Sequence, residues 1–232
     1  MDVLDRVAGP ARDLLSQVDR VLARSGAPAD DPVWPLLRRL GALPGDLVTA
    51  LLAARPAPLF AAADELRSVS GQLATAAAEV PGPAHWHGEA AEAFTAAWRE
   101  LAALLGTGPG TLPGRYADAG DFADEAARWL TRTRRQVAGA VATCLASAEA
   151  ATLRRAPADP LAAPAGAKPG TAAADAAGAA AAIATHILRA AQEALEDGQH
   201  LRDRWAARLA GADAVAVPAA YPPGRPGRLE VG

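Results

Sequence analysis

The sequence predicts an all-α protein, an elongated helical bundle, and three observations predict it. The apolar fraction of 51% is carried mostly by alanine, leucine and valine, with three Phe, two Tyr and five Trp in 232 residues, a composition that suits close helix packing better than sheets. Apolar residues recur at alternating spacings of three and four over most of the chain. Clusters of proline and glycine interrupt that pattern at intervals suited to helix ends.

The elements follow in order. Residues 2 to about 24 place Leu4, Val7, Leu14, Val18 and Val21 on one face, with Pro10 as a kink and "RSGAPADDP" as a stop. A second helical region carries Trp34, Leu37 and Leu40, breaks at "GALPGD", and resumes through Leu47, Leu51 and Leu52. From Leu59 the seam is strict: Leu59, Ala62, Leu66, Val69, Leu73, Ala76 and Val80. After "PGPAHWHG" the same alternation returns in Ala91, Phe94, Trp98, Leu101 and Leu105, and "GTGPGTLPG" ends it. Two matched seams across a short turn predict an antiparallel hairpin.

One long helix is expected from about 114 to 155, with Phe122, Ala126, Leu130, Thr133, Val137, Val141, Cys144 and Ala148 as an eleven-residue stripe. "APADPLAAPAGAKPG", residues 156–170, reads as a linker or crossover. A last helix over about 171–210 presents Ile183, Ile187, Ala191, Ala194, Leu201, Trp205 and Leu209, and residues 211–232 read as a disordered tail. The expected organisation is an N-terminal helical pair (1–55), a hairpin plus long helix (56–155), the linker (156–170), a C-terminal helix packing on the bundle (171–210) and the tail. The hairpin and the two long helices together would make a four-helix bundle within one chain.

Composition narrows the function. A net charge of -3 argues against general nucleic-acid binding. Cys144 is the single cysteine, so no internal disulfide forms. "MDVLDRVAGP" lacks the basic start and apolar run of a signal peptide, so any export would follow a leaderless route. The alanine-rich "TAAADAAGAAAAIATHILRAAQEAL" contains Asp175, His186 and Arg189, too polar for a membrane span.

"HWHGEAAEAF", residues 85–94, is the stretch that reads as a signature. A Trp-x-Gly lies between two helices with matched seams, and Glu89 and Glu92 follow in the next helix's first turn, where the helix dipole favours acids. Trp86, Gly88, Ala90, Ala91 and Phe94 resemble the motif of the WXG superfamily, small helical hairpins exported by type VII (ESX) secretion systems of actinobacteria and related bacteria. The resemblance covers about residues 57–155. It implies a turn shaped by Trp86 and Gly88, hairpin packing through Ala91, Phe94, Trp98 and Leu101, and pairing with another such protein or with itself as a dimer. It also implies contact with the secretion machinery, and a cytoplasmic protein that becomes secreted or envelope-associated. Family substrates carry a Tyr followed four positions later by an acid; here Tyr116 is followed at that distance by Gly120, so Tyr116 with Asp121 is a degenerate version of the mark.

Other residue sets carry less. His85, His87 and Glu89 are metal-ligand types, but further ligands are not evident in sequence, and solvated turn residues are the default. Glu196 and His200 lack the second Glu-x-x-His copy that a carboxylate-bundle metal site needs. Cys144 sits on an apolar stripe and reads as a buried small hydrophobe. Arg128, Arg132 and Arg135 share a helix face that is most simply solvated, though it could meet an acidic partner. No catalytic set assembles, and neither metal nor cofactor is expected. The sequence therefore points to a non-enzymatic secretion-associated protein acting through helix pairing. The alternatives are a cytosolic scaffold that is never exported and the delivery module of a polymorphic toxin system.

Overall fold

A computed structural model describes residues 2–82, 87–156 and 171–210. Among them the chain is all-α, as expected: α1 (Val3–Ser25), α2 (Val33–Leu40), α3 (Pro44–Ala53), α4 (Ala57–Glu79), α5 (Glu89–Leu105), α6 (Leu112–Leu145), α7 (Ala148–Arg155) and α8 (Thr171–Ala210).

Local chemistry sets the ends. Asp2 accepts the Asp5 N–H at 3.0 Å while Asp5 accepts the Asp2 N–H at 3.1 Å, a reciprocal box that starts α1. Pro10 leaves α1 continuous, because it stands on the exposed side, where a lost backbone bond is covered by water. Gly41 closes α2 in the left-handed conformation at φ 64°. Instead of the single helix expected over 114–155, the chain stops at Ala146 and restarts, because the Ser147 hydroxyl accepts the Ala150 N–H and begins α7.

α6 and α8, about 50 and 60 Å long by their rise, run antiparallel and pack together along the C-terminal two thirds of α6. Cys144 lies beside Ile183, Trp129 beside Ala194 and Glu125 beside Trp205. The other flank of α6 is covered by two helices laid end to end. α1 runs parallel to its C-terminal half, tied by Asp2 to Arg134 and by Gln17 to the Leu153 carbonyl in α7. α4 runs antiparallel to its N-terminal half, with Ala63 against Gly120 and the Ser70 hydroxyl donating to the Pro113 carbonyl at 2.8 Å.

The largest core lies where α1, the C-terminal half of α6, α7 and the N-terminal half of α8 meet. Leu4, Val18, Val137, Val141, Leu153, Ile187 and Leu188 are all essentially without exposed surface, and α2 and α3 close it with Val33, Leu36 and Val48. Burial on that scale, at about 25 cal/mol per Å² of apolar area, makes residues 1–55 part of the main body.

The expected hairpin seam is used differently. The principal neighbour of α4 is α6, and α5 touches α4 and α6 only sparsely. Of the α5 seam only Ala91 is buried, while Phe94 is 42% and Leu101 37% exposed. The physical reason is register. α4 and α6 approach closely at Gly120, where an added Cβ would stand 3.1 Å from the Ala63 carbonyl oxygen, and this close contact takes the α4 face that α5 would otherwise fill.

Among the described residues one stretch, Val33–Glu79, is apolar enough to cross a membrane by length and composition, with a mean hydropathy of 1.3 over eighteen residues, 11% of them buried. It is divided into α2, α3 and α4 at Gly41 and at Ala54–Pro56, and the one piece of spanning length, α4, carries Asp64, Glu65, Arg67 and Glu79.

Candidate functional site

The end of the molecule that carries the Trp-x-Gly turn is built on Gly88. Its φ of 108° is one that side-chain-bearing residues rarely adopt, although an added Cβ would meet nothing within 4 Å, so the glycine is required by backbone conformation and not by crowding. Its carbonyl accepts the N–H groups of Ala91 and Glu92 at 3.0 and 3.1 Å and so starts α5. Glu89 and Glu92 stand in the first turn, as the sequence placed them.

Trp86 and His85 lie outside the described residues. His87 is exposed. Trp98 is half-buried, and a Cβ built on Gly82 would sit 4.0 Å from its ring, so the indole lies over the chain as it leaves α4. The inward side of α5 is thus Ala91, Thr95, Trp98 and Ala102, while Phe94 and Leu101 are turned to its outer edge. Of the four packing residues, the structure brings Ala91 and Trp98 inward and leaves Phe94 and Leu101 in an exposed strip.

Tyr116 and Asp121 both lie on α6, beside α4. Tyr116 is half-buried. The Asp121 carboxylate accepts from Arg67 Nε at 3.3 Å, and the same guanidinium reaches Asp64 at 3.3 Å and Asp124 at 3.6 Å, with Arg128 closing on Asp124 at 2.7 Å. This exposed ladder of acids and arginines aligns α4 on α6. Its members have side chains 13 to 82% exposed, so each pair contributes little and the array mainly fixes register.

The remaining sets separate. Glu196 is paired with Arg39 at 2.8 Å, and His200 is exposed one turn further along α8. Arg132 and Arg135 are exposed on the face that Arg128 shares. Cys144 is buried, and loss of solvation pushes its thiol up to about 11, well away from a thiolate nucleophile at neutral pH. Among the described residues no group of three or more His, Cys, Asp or Glu is placed to hold a metal ion.

Sequence reasoning missed one polar centre. Arg134 is 1% exposed and inserts between the start of α1 and the end of α3. It donates to Asp2 and to Asp5, the latter at 3.0 Å, and to the carbonyls of Leu51 and Ala54, the latter at 2.9 Å. Arg55 adds a second cation on Asp5 at 2.7 Å. The Arg134 guanidinium holds the Asp2 carboxyl down at about 2 and is itself held charged by the two acids. The cation also faces the C-terminal carbonyls of α3, where the helix dipole is negative. The centre is a fully paired joint with no open coordination or reactive position, so its chemistry is cohesion.

Neither a family model, nor a curated protein, nor a solved structure matches this chain.

Proposed function

We propose that this is a WXG-like protein associated with type VII (ESX) secretion, an exported substrate or its partner, acting through helix pairing at the Trp-x-Gly end and not as an enzyme. The observation that carries the reading is the combination at that end. A glycine held at positive φ opens an amphipathic helix on which Phe94 and Leu101 remain 42% and 37% exposed; of the five large apolar side chains exposed to that degree among the described residues, these two share one helix. A helix with a partly exposed apolar edge suits a partner helix. The first test is the ratio of the protein in culture medium to that in cell lysate, in its native host with and without a working type VII secretion ATPase. Loss of the medium signal with the ATPase supports export. Retention in the lysate of both strains, while a known substrate leaves the cell, removes it. Trp86→Ala then asks whether the turn is recognised: normal pairing and export of that variant would confine Trp86 to architecture.

The second reading, a cytosolic scaffold, is favoured by one observation. Asp121, the acid nearest to a suitable export mark, is paired with Arg67, and Tyr116 is half-buried on the same helix, so both already have a place in the α4–α6 contact. The same fractionation experiment separates the two readings.

A further inference from the structure

The outward face of α2 carries a surface that the secretion reading does not use. Val33 and Leu36 bury the inner side of this helix, while Pro32, Pro35 and Arg38 are exposed on the other. Asp31 accepts the Val33 N–H at 2.9 Å through one carboxylate oxygen, and the Trp34 indole N–H donates to the Pro28 carbonyl at 2.8 Å. The indole is held over Gly26, where an added Cβ would meet the ring at 3.6 Å. Its one polar atom is thereby satisfied inside the loop, and the ring borders a shallow open groove with Asp30, Asp31, Pro35 and Arg38. Asp31, then Trp34 and Pro35, then Arg38 recur at the three-to-four spacing that aligns side chains along one helix face. This stripe is acidic at its start, apolar at its middle and basic at its end. Its charged ends are about 10 Å apart by helical rise and do not pair with each other. Arg39 is taken by Glu196, whereas Asp30 and Arg38 make no ion pair or hydrogen bond among the described residues.

We propose that this face binds a second copy of itself, the two α2 helices lying antiparallel across a two-fold axis that passes between Trp34 and Pro35. The occupant follows from the charge pattern. A two-fold contact requires that what one copy offers at each end, the other accepts at the opposite end. With the axis at that point, Asp31 of each copy faces Arg38 of the other, with Asp30 beside the pair, and Trp34 of each faces Pro35 of the other. Each acid thus finds the cation that its own chain does not supply, and proline rings suit indole faces in recognition grooves generally. A parallel arrangement would set acid on acid and cation on cation, so the charges also fix the direction. The helix dipole by itself favours an acid at the start and a cation at the end of any helix. It does not call for an indole and an exposed proline between them, which a contact surface uses. A patch of one two-turn helix buries less than about 1,200 Å² in total, the class of transient contacts, so the dimer is weak and reversible.

The test is sedimentation velocity of the full chain from about 10 μM to about 1 mM at low salt, the range in which a contact of this size assembles. The expected result is a reversible monomer–dimer equilibrium, weakened at least about tenfold by Arg38→Glu, which sets acid against acid at both ends of the contact. A second variant, Asp30→Lys with Asp31→Asn, keeps a side-chain oxygen for the Val33 cap and should be weakened to a similar degree. Mixed in equal amounts, the two variants should associate to within about threefold of the unsubstituted chain, because each supplies the charge that the other lacks. The substituted side chains lie outside the core, and unchanged helical circular dichroism and thermal unfolding verify the fold. A chain that stays monomeric over the whole range overturns the proposal. So does association that Arg38→Glu leaves intact, which would place the contact elsewhere, as at the Phe94 and Leu101 edge. A mixture that associates no more tightly than either variant alone overturns it as well.

Discussion

Arg134 shows how a single side chain can join three helices. Its guanidinium satisfies two carboxylates at the start of α1 and two carbonyls at the end of α3, at the point on α6 where α1 ends its cover and α4 begins. Removing Arg134 takes the donor from the Leu51 and Ala54 carbonyls and the buried cation from Asp2 and Asp5, although Asp2 is 41% exposed to water and Asp5 keeps Arg55. Arg134→Ala is therefore expected to lower unfolding free energy by about 2–3 kcal/mol at pH 7, below the cost of breaking a wholly buried pair, measured by urea denaturation. Arg134→Lys, which keeps the charge but lacks the planar fork, should recover less than half of that loss. The pH dependence has a definite sign. Asp2 falls from 3.8 in the unfolded chain to about 2 in the folded one, so its stabilisation is complete above about pH 4 and is lost as pH falls towards 2. The gap between the unsubstituted chain and Arg134→Ala should narrow across that window, and a gap constant from pH 5 to pH 2 would contradict the pairing. This joint was not legible in the sequence. The helical stripe pointed to Thr133, the neighbouring arginines read as a solvated face, and the acids that make burial of Arg134 tolerable lie at the opposite end of the chain.

At the scale of elements, glycines decide which helices may approach. On α8, Gly198 lies under the Trp129 indole, whose N–H donates to the Ala194 carbonyl at 2.9 Å; a Cβ there would come within 2.8 Å of the ring. Gly178, on the same helix, has nothing within 4 Å of such a Cβ. Intrinsic propensity favours alanine at both by about 1 kcal/mol. Gly178→Ala should accordingly gain about 0.5–1 kcal/mol, while Gly198→Ala should lose about 1–3 kcal/mol through overpacking and displacement of the indole bond. Thermal unfolding of the two variants side by side checks this, and equal gains would mean that Trp129 is not held as described. The same logic explains how far the elements could be read in advance. Their existence and ends were legible because Gly41, Pro44 and Pro56 act through local chemistry. The partner of α4 was not: its seam and that of α5 share one repeat, and the choice of α6 rests on the close approach at Gly120 and on the Arg67 ladder, both contacts between distant residues.

For the whole molecule, the shared rod of α6 and α8 divides the chain into a well-buried end and a sparsely covered one. Near α1 and α7 the helices bury Leu, Ile and Val side chains completely; at the Trp-x-Gly end α5 buries only Ala91. Local opening free energy follows buried apolar contact, so the two ends should differ in stability within one fold. Native-state hydrogen exchange should find the amides of α5 exchanging at least about 100-fold faster than those of Val137–Val141 and Ile183–Leu188, through openings that leave the main core closed. Pairing at the Phe94 and Leu101 edge would then raise protection along α5 while leaving the slow core amides unchanged, because a ligand stabilises only the openings that its site takes part in. Were α5 as slow as the core in the isolated chain, its openings would not be local to that end, and the partly exposed edge of Phe94 and Leu101 would not be the weakly held element that pairing is expected to protect.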